Sequence, residues 1–321
     1  MHRPSYHAKF LRRDLLQFLQ RHRLITDDRP TLLAVSGGLD STVLVHVFAA
    51  AGLSFGLGHV NYQLRGTESD DDETFVRELA RHFGVAVYVK KISGKTLAEE
   101  SDTSLQAAAR TFRYAQLTEW QRAHGYGRIA TAHHGDDSVE TTVANFIRGT
   151  GLAGLRGILP RQDVLIRPLL FTRRAVLEAY AEQHGIAYRT DRSNADTKYT
   201  RNRIRHELIP MLTRINPNFA ARNLASQQHL READWLRRFA LNQLLEQLLE
   251  STPGGERLAI APLQNHPAAR SLLHAWLGPV GFNESQLSQL YRHLNSSSGG
   301  TFTSGSHQLR VKRGYLYLTP L

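Results

Sequence analysis

The chain has 321 residues, enough for two domains, and its composition, 41% hydrophobic and 21% charged, is that of an ordinary globular protein. It has no cysteine, which excludes disulfides, thiolate metal sites and cysteine nucleophiles and fits a reducing cytoplasm. The formal net charge of +11 indicates an acidic partner such as nucleic acid, although a basic surface kept for solubility gives the same charge.

The first predicted element is a short amphipathic helix near the N-terminus. Its apolar face is formed by Phe10, Leu11, Leu15, Phe18 and Leu19. The segment is basic without a continuous apolar core, so it is not a secretory signal, and an Arg-rich transit peptide is the alternative. No apolar run reaches the ~18 residues of a membrane span. We therefore expect a cytoplasmic protein that does not contact membranes.

Strand-like and helical patterns alternate in the first half of the chain. Predicted strands lie at Thr31–Val35, Ser54–Val60, Val85–Ile92 and Arg128–Ala132. Predicted helices lie at about 40–51, 67–83, 104–124 and 136–148. This alternation predicts an α/β fold, a Rossmann-like parallel sheet with helices on both faces. Such sheets bind ligands at the carboxyl ends of their strands, where the strand order reverses.

Helical patterns dominate the second half. We predict helices at about 173–184, 202–213, 218–250, 265–277 and 283–294, with a break at 251–256. The tail predicts two or three short strands with glycine turns. We place a domain boundary between a catalytic domain, 1–214, and a smaller, mainly helical domain, 215–321, that ends in a β hairpin. The segment "QLRVKRGYLYL" has the pattern of an edge strand, and its charges suit either protection against aggregation or RNA contact.

The loop after the first predicted strand, "SGGLDS", has the residues of a phosphate site. The glycines Gly37 and Gly38 let the backbone approach a ligand, and the following helix N-terminus attracts anions. Ser36 and Ser41 add hydroxyl groups. Asp40, which we expect at a solvent-facing helix start, is compatible with phosphate if a divalent cation lies between them. The alternative is an ordinary capped helix after a glycine turn.

The whole string Ser-Gly-Gly-x-Asp-Ser resembles the pyrophosphate-binding loop of the N-type ATP pyrophosphatases. These PP-loop enzymes split ATP into AMP and diphosphate while they adenylate a carbonyl-like oxygen. The resemblance implies that Mg²⁺ binds at Asp40. It also implies that ATP is bound by Ser36, Gly37, Gly38, Leu39, Asp40 and Ser41.

Further stretches are similar to the tRNA(Ile)-lysidine synthetase family. They are "HVNYQLRG" (59–66), "SLQAAARTFRYAQL" (104–117), "ATAHHGDDSVETTVANFIRGTGLAGLRGI" (130–158), "RPLL" (167–170) and "DRSNADTKYTRNRIRHELIP" (191–210). The family's motif residues lie at Ala132, His133, His134, Asp136, Asp137, Glu140, Thr141, Arg148 to Gly151, Asp191, Ser193, Asn194, Tyr199, Arg201, Asn202 and Arg205. Tyr62 stands where many relatives carry histidine, which leaves its role open.

This resemblance implies ligation of L-lysine to C2 of the wobble cytidine, position 34 of a CAU anticodon, in tRNA(Ile). An adenylated tRNA would be the intermediate, and a homodimer is possible. The implied catalytic residues are Asp40, Asp137, His133, Arg110 and Arg113. Candidates for the pocket that binds the base or lysine are Asp136, Glu140, Arg148 and Arg205.

Three features of these residues can be weighed without the family. Asp136 and Glu140 share a helix face and repel unless a cation or a basic partner joins them, or they serve as a negative helix N-terminus. His133 and His134 together are a possible metal-binding pair. We prefer one of them as a hydrogen-bonding group near the nucleotide. Arg110 lies three residues before a second arginine, on the same helix face.

Two other function classes remain open. The first is a PP-loop pyrophosphatase with a different acceptor. The tRNA thiolases use cysteines, which this chain lacks, and the GMP, NAD and asparagine synthetases do not require so basic a chain. The second is a catalytically silent module that binds RNA or nucleotide, against which the intact loop argues. Several relatives carry a further C-terminal domain, so a short form and a missing part are both open.

Overall fold

The computed structural model describes residues 7–64, 66–99, 104–189, 200–264, 266–294 and 299–321. By its internal contacts the chain divides into two compact units, Met1–Gln228 and His229–Leu321. The boundary at 214/215 remains a prediction.

A mostly parallel sheet forms the centre of the first unit. Its strands are β1 (Thr31–Ala34), β2 (Phe55–Asn61), β3 (Val87–Lys91), β4 (Arg128–Ala130), β5 (Arg161–Gln162) and β6 (Leu165–Ile166). Their order is β3-β2-β1-β4-β6-β5, and only the short β5–β6 pair is antiparallel. The chain passes from β1 to β2 on one side and later returns to β4 on the other. The strand order therefore reverses between β1 and β4, where α/β sheets bind ligands.

Helices cover both faces of this sheet. They are α1 (Leu11–Arg21), α2 (Leu39–Ala50), α3 (Thr67–Phe83), α4 (Gly94–Glu99), α5 (Leu105–Ala123), α6 (Gly135–Ile147), α7 (Leu152–Leu155) and α8 (Arg174–Gln183). Leu33 packs into one core with Val47, whereas its neighbour Leu32 packs into another with Leu117. Successive strand residues point to opposite faces, so both faces are buried. The predicted fold class is confirmed.

The chain then continues in helices. They are α9 (Thr200–Arg203), a π-helical turn (Ile204–Leu208), α10 (Ile209–Ile215) and α11 (Phe219–Leu248). Pro210 has no amide N–H to donate to the fourth residue before it, so the regular hydrogen-bond ladder is interrupted, and the helix predicted at 202–213 contains a π-helical turn. The start of α11 packs in the first unit. Leu224 lies in a core with Val139, and the fully buried Gln227 accepts a hydrogen bond of 2.6 Å from Ser138.

Among the described residues, the second unit combines the C-terminal part of α11 and three further α-helices with an antiparallel sheet. The helices are α12 (Ala261–Gln264), α13 (Ala269–Leu277) and α14 (Glu284–His293). The strands are β7 (Leu249–Thr252), β8 (Gly255–Ala259), β9 (Gly300–Thr303), β10 (His307–Lys312) and β11 (Tyr315–Pro320), in the order β7-β8-β11-β10-β9.

The predicted break at 251–256 is confirmed, since α11 ends at Leu248, but the segment forms a β7–β8 hairpin that the apolar spacing of α11 concealed. The prediction of a basic edge strand is wrong. The basic strand β10 is not an edge strand, because β9 and β11 pair with it on either side. The part of the chain that the structure describes contains no helix long and apolar enough to cross a membrane.

Candidate active site

The loop between β1 and α2 closes on itself through its hydroxyl groups. Gly37 has a φ of 89°, which favours glycine. The Oγ atoms of Ser36 and Ser41 lie 3.2 Å apart, and Thr42 donates a hydrogen bond of 3.0 Å to the carbonyl of Gly38. The Leu39 side chain is buried in the core, so only its backbone can reach a ligand. The first amides of α2 have no acceptor within the helix and are available to an anion.

Arg189, which sequence reasoning missed, contacts both this loop and α3. Its backbone N–H donates to the carbonyl of Gly37 at 2.9 Å. Its guanidinium pairs with Asp72 at 3.1 Å and with Asp71 at 3.2 Å, both on α3. The acidic run at the start of α3 was a signal that a basic partner is needed there. One residue therefore ties the loop to α3.

Asp40 follows the loop and is mostly buried. Its Oδ2 lies 3.5 Å from Arg174 Nη1 and 3.8 Å from His134 Nε2. Its Oδ1 is buried and has no hydrogen-bond partner within the described ranges. Burial raises the pKa of this carboxyl group, although His134 and Arg174 oppose the shift. The expectation of a solvent-facing Asp40 is therefore wrong, because Arg174 on α8 and the loop after β4 enclose its side chain.

His134 lies among three carboxylates. Its side chain is 2% exposed, with Nε2 3.6 Å from Asp137 Oδ2 and Nδ1 3.6 Å from Asp136 Oδ2, in addition to its contact with Asp40. Nδ1 has no hydrogen-bond partner in the described part of the chain. The backbone N–H of His134 donates to Asp137 Oδ2 at 3.0 Å and so caps α6. This histidine, rather than its neighbour, joins the loop after β4 to the loop after β1.

His133 has a different environment. Its Nδ1 lies 2.8 Å from Thr131 Oγ1. Burial lowers the pKa of His133 to about 3; Asp137 opposes this shift, whereas Arg167 and Arg110 add to it. The imidazole is therefore neutral at pH 7. Within the described residues, no three His, Asp or Glu side chains are arranged as ligands of one metal ion.

Asp137 and Glu140 on α6 are held by two arginines. Arg201 reaches Asp137 at 2.8 Å and Glu140 at 2.9 Å, and Arg205 Nη2 lies 3.0 Å from Glu140 Oε2. Glu140 has only 3% of its side chain exposed. Burial would raise the pKa of Asp137, but His134, His133 and Arg201 outweigh burial, and the pKa is lowered. Asp137 is thus ionised, and both carboxylates are already paired with arginine.

Asp136 has a structural role. It accepts the backbone N–H of Arg174 at 2.8 Å and pairs with the guanidinium of Arg173. It therefore caps the N-terminus of α8. Asp136 and Glu140 share a face of α6. Each is paired with arginine, which offsets the repulsion between the two carboxylates.

Three arginines and two tyrosines form a second cluster, which we call the arginine wall. Its residues are Arg110, Arg113, Arg167, Tyr62 and Tyr114. The guanidinium groups of Arg110 and Arg113 lie 5.0 and 5.5 Å from the ring centroid of Tyr114. Arg167, missed by sequence reasoning, is buried and donates to the carbonyl of residue 159 at 2.8 Å. The Nε atoms of Arg113 and Arg167 are buried and, in the ranges described, have no partner. Tyr62 donates to the carbonyl of residue 109 at 2.9 Å and so anchors this wall.

Other predicted residues are not brought to this cluster. Arg148 lies beyond the C-terminus of α6, with its side chain on Asn145 at 3.3 Å. It is eight residues past Glu140, about 12 Å along the helix. The predicted Asp191, Ser193, Asn194 and Tyr199 fall outside the described residues.

Two family models match separate parts of the chain. A family model described as the PP-loop domain matches residues 8–212, and one described as the TilS substrate binding domain matches residues 235–321. The tRNA(Ile)-lysidine synthase of Parabacteroides distasonis is 36% identical over 304 residues, 95% of this chain and 69% of that protein. That of Chlorobaculum tepidum is 39% identical over 245 residues, 74% of this chain and 72% of that protein.

A third relative, the tRNA(Ile)-lysidine synthase of Porphyromonas gingivalis, is 35% identical over 92% of this chain and 64% of its own length. The chain thus spans about two thirds of the length of these relatives. Among solved structures, the U34-tRNA thiolase NcsA from Methanococcus maripaludis has a TM-score of 0.57 at 18% identity, over 70% of this chain and 78% of that one. That likeness concerns the fold alone.

Proposed function

The chain belongs to the tRNA(Ile)-lysidine synthase family, and we propose that it joins L-lysine to C2 of the wobble cytidine of a tRNA(Ile) with a CAU anticodon, with cleavage of ATP to AMP and diphosphate. The observation that carries this proposal is the convergence of the Ser36–Ser41 loop with Asp40, His134 and Asp137 where the strand order reverses. A phosphate site and a proton-transfer group are thereby adjacent.

The loop is suited to the phosphates of ATP. The first amides of α2 are donors for phosphate oxygens, and the hydroxyls of Ser36 and Ser41, which here bond within the loop, would exchange those bonds for phosphate. The residues also fit Mg²⁺, since Asp40 Oδ1 is a buried oxygen without a partner in the described chain. Mg²⁺ is usually held by one or two carboxylates together with substrate phosphates, and it would neutralise charge between Asp40 and the phosphates.

The arginine wall is suited to a negatively charged substrate group. Two of its buried guanidinium nitrogens, the Nε atoms of Arg113 and Arg167, have no partner within the described ranges, and such donors are costly to leave unpaired. We assign them to a phosphate of the nucleotide or of the RNA. Tyr62 donates a hydrogen bond to α5, and the ring of Tyr114, on α5 itself, contacts the guanidinium groups of Arg110 and Arg113.

Lysine must lose a proton before its side chain attacks, because a free amine of this type has a pKa of ~10.4. Asp137, our first candidate from sequence, is a weak acceptor here, since its pKa is lowered and Arg201 and His134 already occupy its oxygens. His133, the second candidate, is weakly basic because burial lowers its pKa to about 3. We therefore assign proton transfer to His134, whose ring nitrogens lie 3.6 to 3.8 Å from three carboxylates.

The function is tested by incubating the protein with ATP, labelled lysine and a transcript of tRNA(Ile) that carries cytidine at position 34. A transcript with uridine at that position is the matched control. We expect label on the cytidine transcript only, in a single modified nucleoside after digestion. Label on neither RNA, with diphosphate still released, would replace this function by adenylation of another acceptor. The reaction's substrates occur together in the cytoplasm, where we place it; the homodimer remains a prediction.

A further inference from the structure

The sheet of the second unit has one apolar face and one polar face. On the apolar face Leu258, Leu309, Leu316 and Leu318 are buried in a core with α13 and α14. Because strand side chains alternate, the residues between these leucines point to the opposite side. We call that side the tyrosine face, and it comprises Glu250 on β7, Arg257 on β8, Arg310 and Lys312 on β10, and Tyr315 and Tyr317 on β11.

The register of the strands brings rings and cations together. Arg310 lies directly opposite Tyr317, and Lys312 lies directly opposite Tyr315. The two tyrosine rings are 6.0 Å apart between centroids. The guanidinium of Arg257 lies 4.7 Å from the centroid of the Tyr315 ring. The two half-buried rings therefore lie in the middle of the sheet with a cation on each side.

Protection of a sheet edge does not explain these charges. Edge strands carry charged residues to prevent pairing with other chains, but β10 and β11 are both paired on two sides. Glu250 on β7 pairs with Arg257, whereas within the described residues neither Arg310 nor Lys312 has a carboxylate within 4.0 Å. Of the four charged groups on this face, three are cations and one is an anion.

We propose that the tyrosine face binds an unpaired segment of the tRNA. Aromatic rings on a sheet stack with exposed bases of any sequence, and flanking cations contact the phosphates. The whole chain has a net charge of +11, which favours RNA as the partner over an acidic protein surface recognised by a few ion pairs. This inference rests on the proposed function, since it assigns part of the tRNA substrate to a defined surface.

The test compares variants of the full chain in a binding assay with the tRNA(Ile) transcript. The double variant Tyr315→Leu with Tyr317→Leu keeps apolar bulk in the strand but removes both rings. Since stacking of one base contributes about 1–3 kcal/mol, we expect the dissociation constant to rise about tenfold or more. The matched control is Tyr291→Leu, an exposed tyrosine of α14, the helix that packs on the opposite face of the sheet. Its affinity should change less than about twofold.

Two further measurements make the outcome unambiguous. ATP affinity should be the same in the double variant and in the wild type, because the loop at Ser36 lies in the other unit. Ultraviolet cross-linking of the wild-type complex should attach RNA to the peptide that contains Tyr315 and Tyr317. Wild-type affinity in the double variant together with no such cross-link would overturn the tyrosine face and leave the proposed function intact. Failure of the wild-type protein to bind this tRNA would overturn both.

Discussion

The cluster around Asp40 and the tyrosine face are both charged, but water reaches them differently. In the cluster, Glu140 has 3% of its side chain exposed and Asp137 14%. On the face, Arg257 and Glu250 are 36% and 50% exposed. Charges interact strongly where water is excluded and are screened by salt where it is not. The comparison indicates that single changes should be severe and pH-dependent in the cluster, and modest and salt-dependent on the face.

The largest effect is expected for Asp40→Asn. The amide removes the charge that would hold Mg²⁺, so diphosphate release should fall at least about a hundredfold. Because burial raises the pKa of Asp40, the folded state disfavours its ionised form, and the variant should unfold at the same temperature as the wild type or higher. The control is Asp14→Asn in the first turn of α1, which should leave the rate unchanged. Near wild-type release from Asp40→Asn would remove this residue from the site.

Glu140→Gln should destabilise the first unit. It leaves Arg201 and Arg205 beside a neutral amide in a largely buried position. Breaking a buried pair by removing one partner costs about 3–5 kcal/mol, and since both arginines are partly exposed we expect about 2 kcal/mol. Urea unfolding measures this change. The exposed pair of Glu207 with Arg203, 3.6 Å apart, is the control, and Glu207→Gln should cost less than about 0.5 kcal/mol. Equal losses in the two variants would contradict the buried network.

His133 should make stability depend on pH. Its pKa is lowered from 6.5 to about 3 in the folded protein, so protons bind the unfolded chain first. Stability is therefore fully present above pH 6.5 and is lost as the pH falls toward 3. The ordinary pKa of Asp137 is 3.8, so between pH 6.5 and pH 3.8 this carboxylate does not yet contribute to the change in stability. Across this interval His133→Asn should lose less stability than the wild type in urea titrations, and parallel curves would contradict the buried neutral imidazole.

The smallest effect is expected for Arg310→Gln on the tyrosine face. One lost phosphate contact should weaken tRNA binding a few-fold at low salt and reduce the slope of log affinity against log salt by about 1. Arg292→Gln on α14 removes the same charge from a different surface and should leave the slope unchanged. A slope that falls equally in both variants would mean that only the total charge of the chain matters.

Local patterns in the sequence predicted the fold because they reflect local physics. The spacing of apolar residues predicted α2, α3, α5 and α6 to within a residue or two, and the string at Ser36–Ser41 located the loop. The partners of the site residues were not predictable in this way. Arg174 contacts Asp40 across 134 positions and Arg201 contacts Asp137 across 64, and no periodicity encodes such pairings. The β7–β8 hairpin was not predicted for a local reason, since Leu249 of β7 continues the leucine spacing of α11.

The order of the chemical steps gives the most direct test of the central claim, that the RNA base is activated before lysine attacks. Diphosphate is measured in two mixtures, one with tRNA(Ile) and ATP but no lysine, the other with lysine and ATP but no tRNA. We predict diphosphate in the first mixture, with AMP attached to the RNA, and release of that AMP when lysine is added. Diphosphate in the second mixture alone would show that the amino acid is activated instead, and would contradict this account.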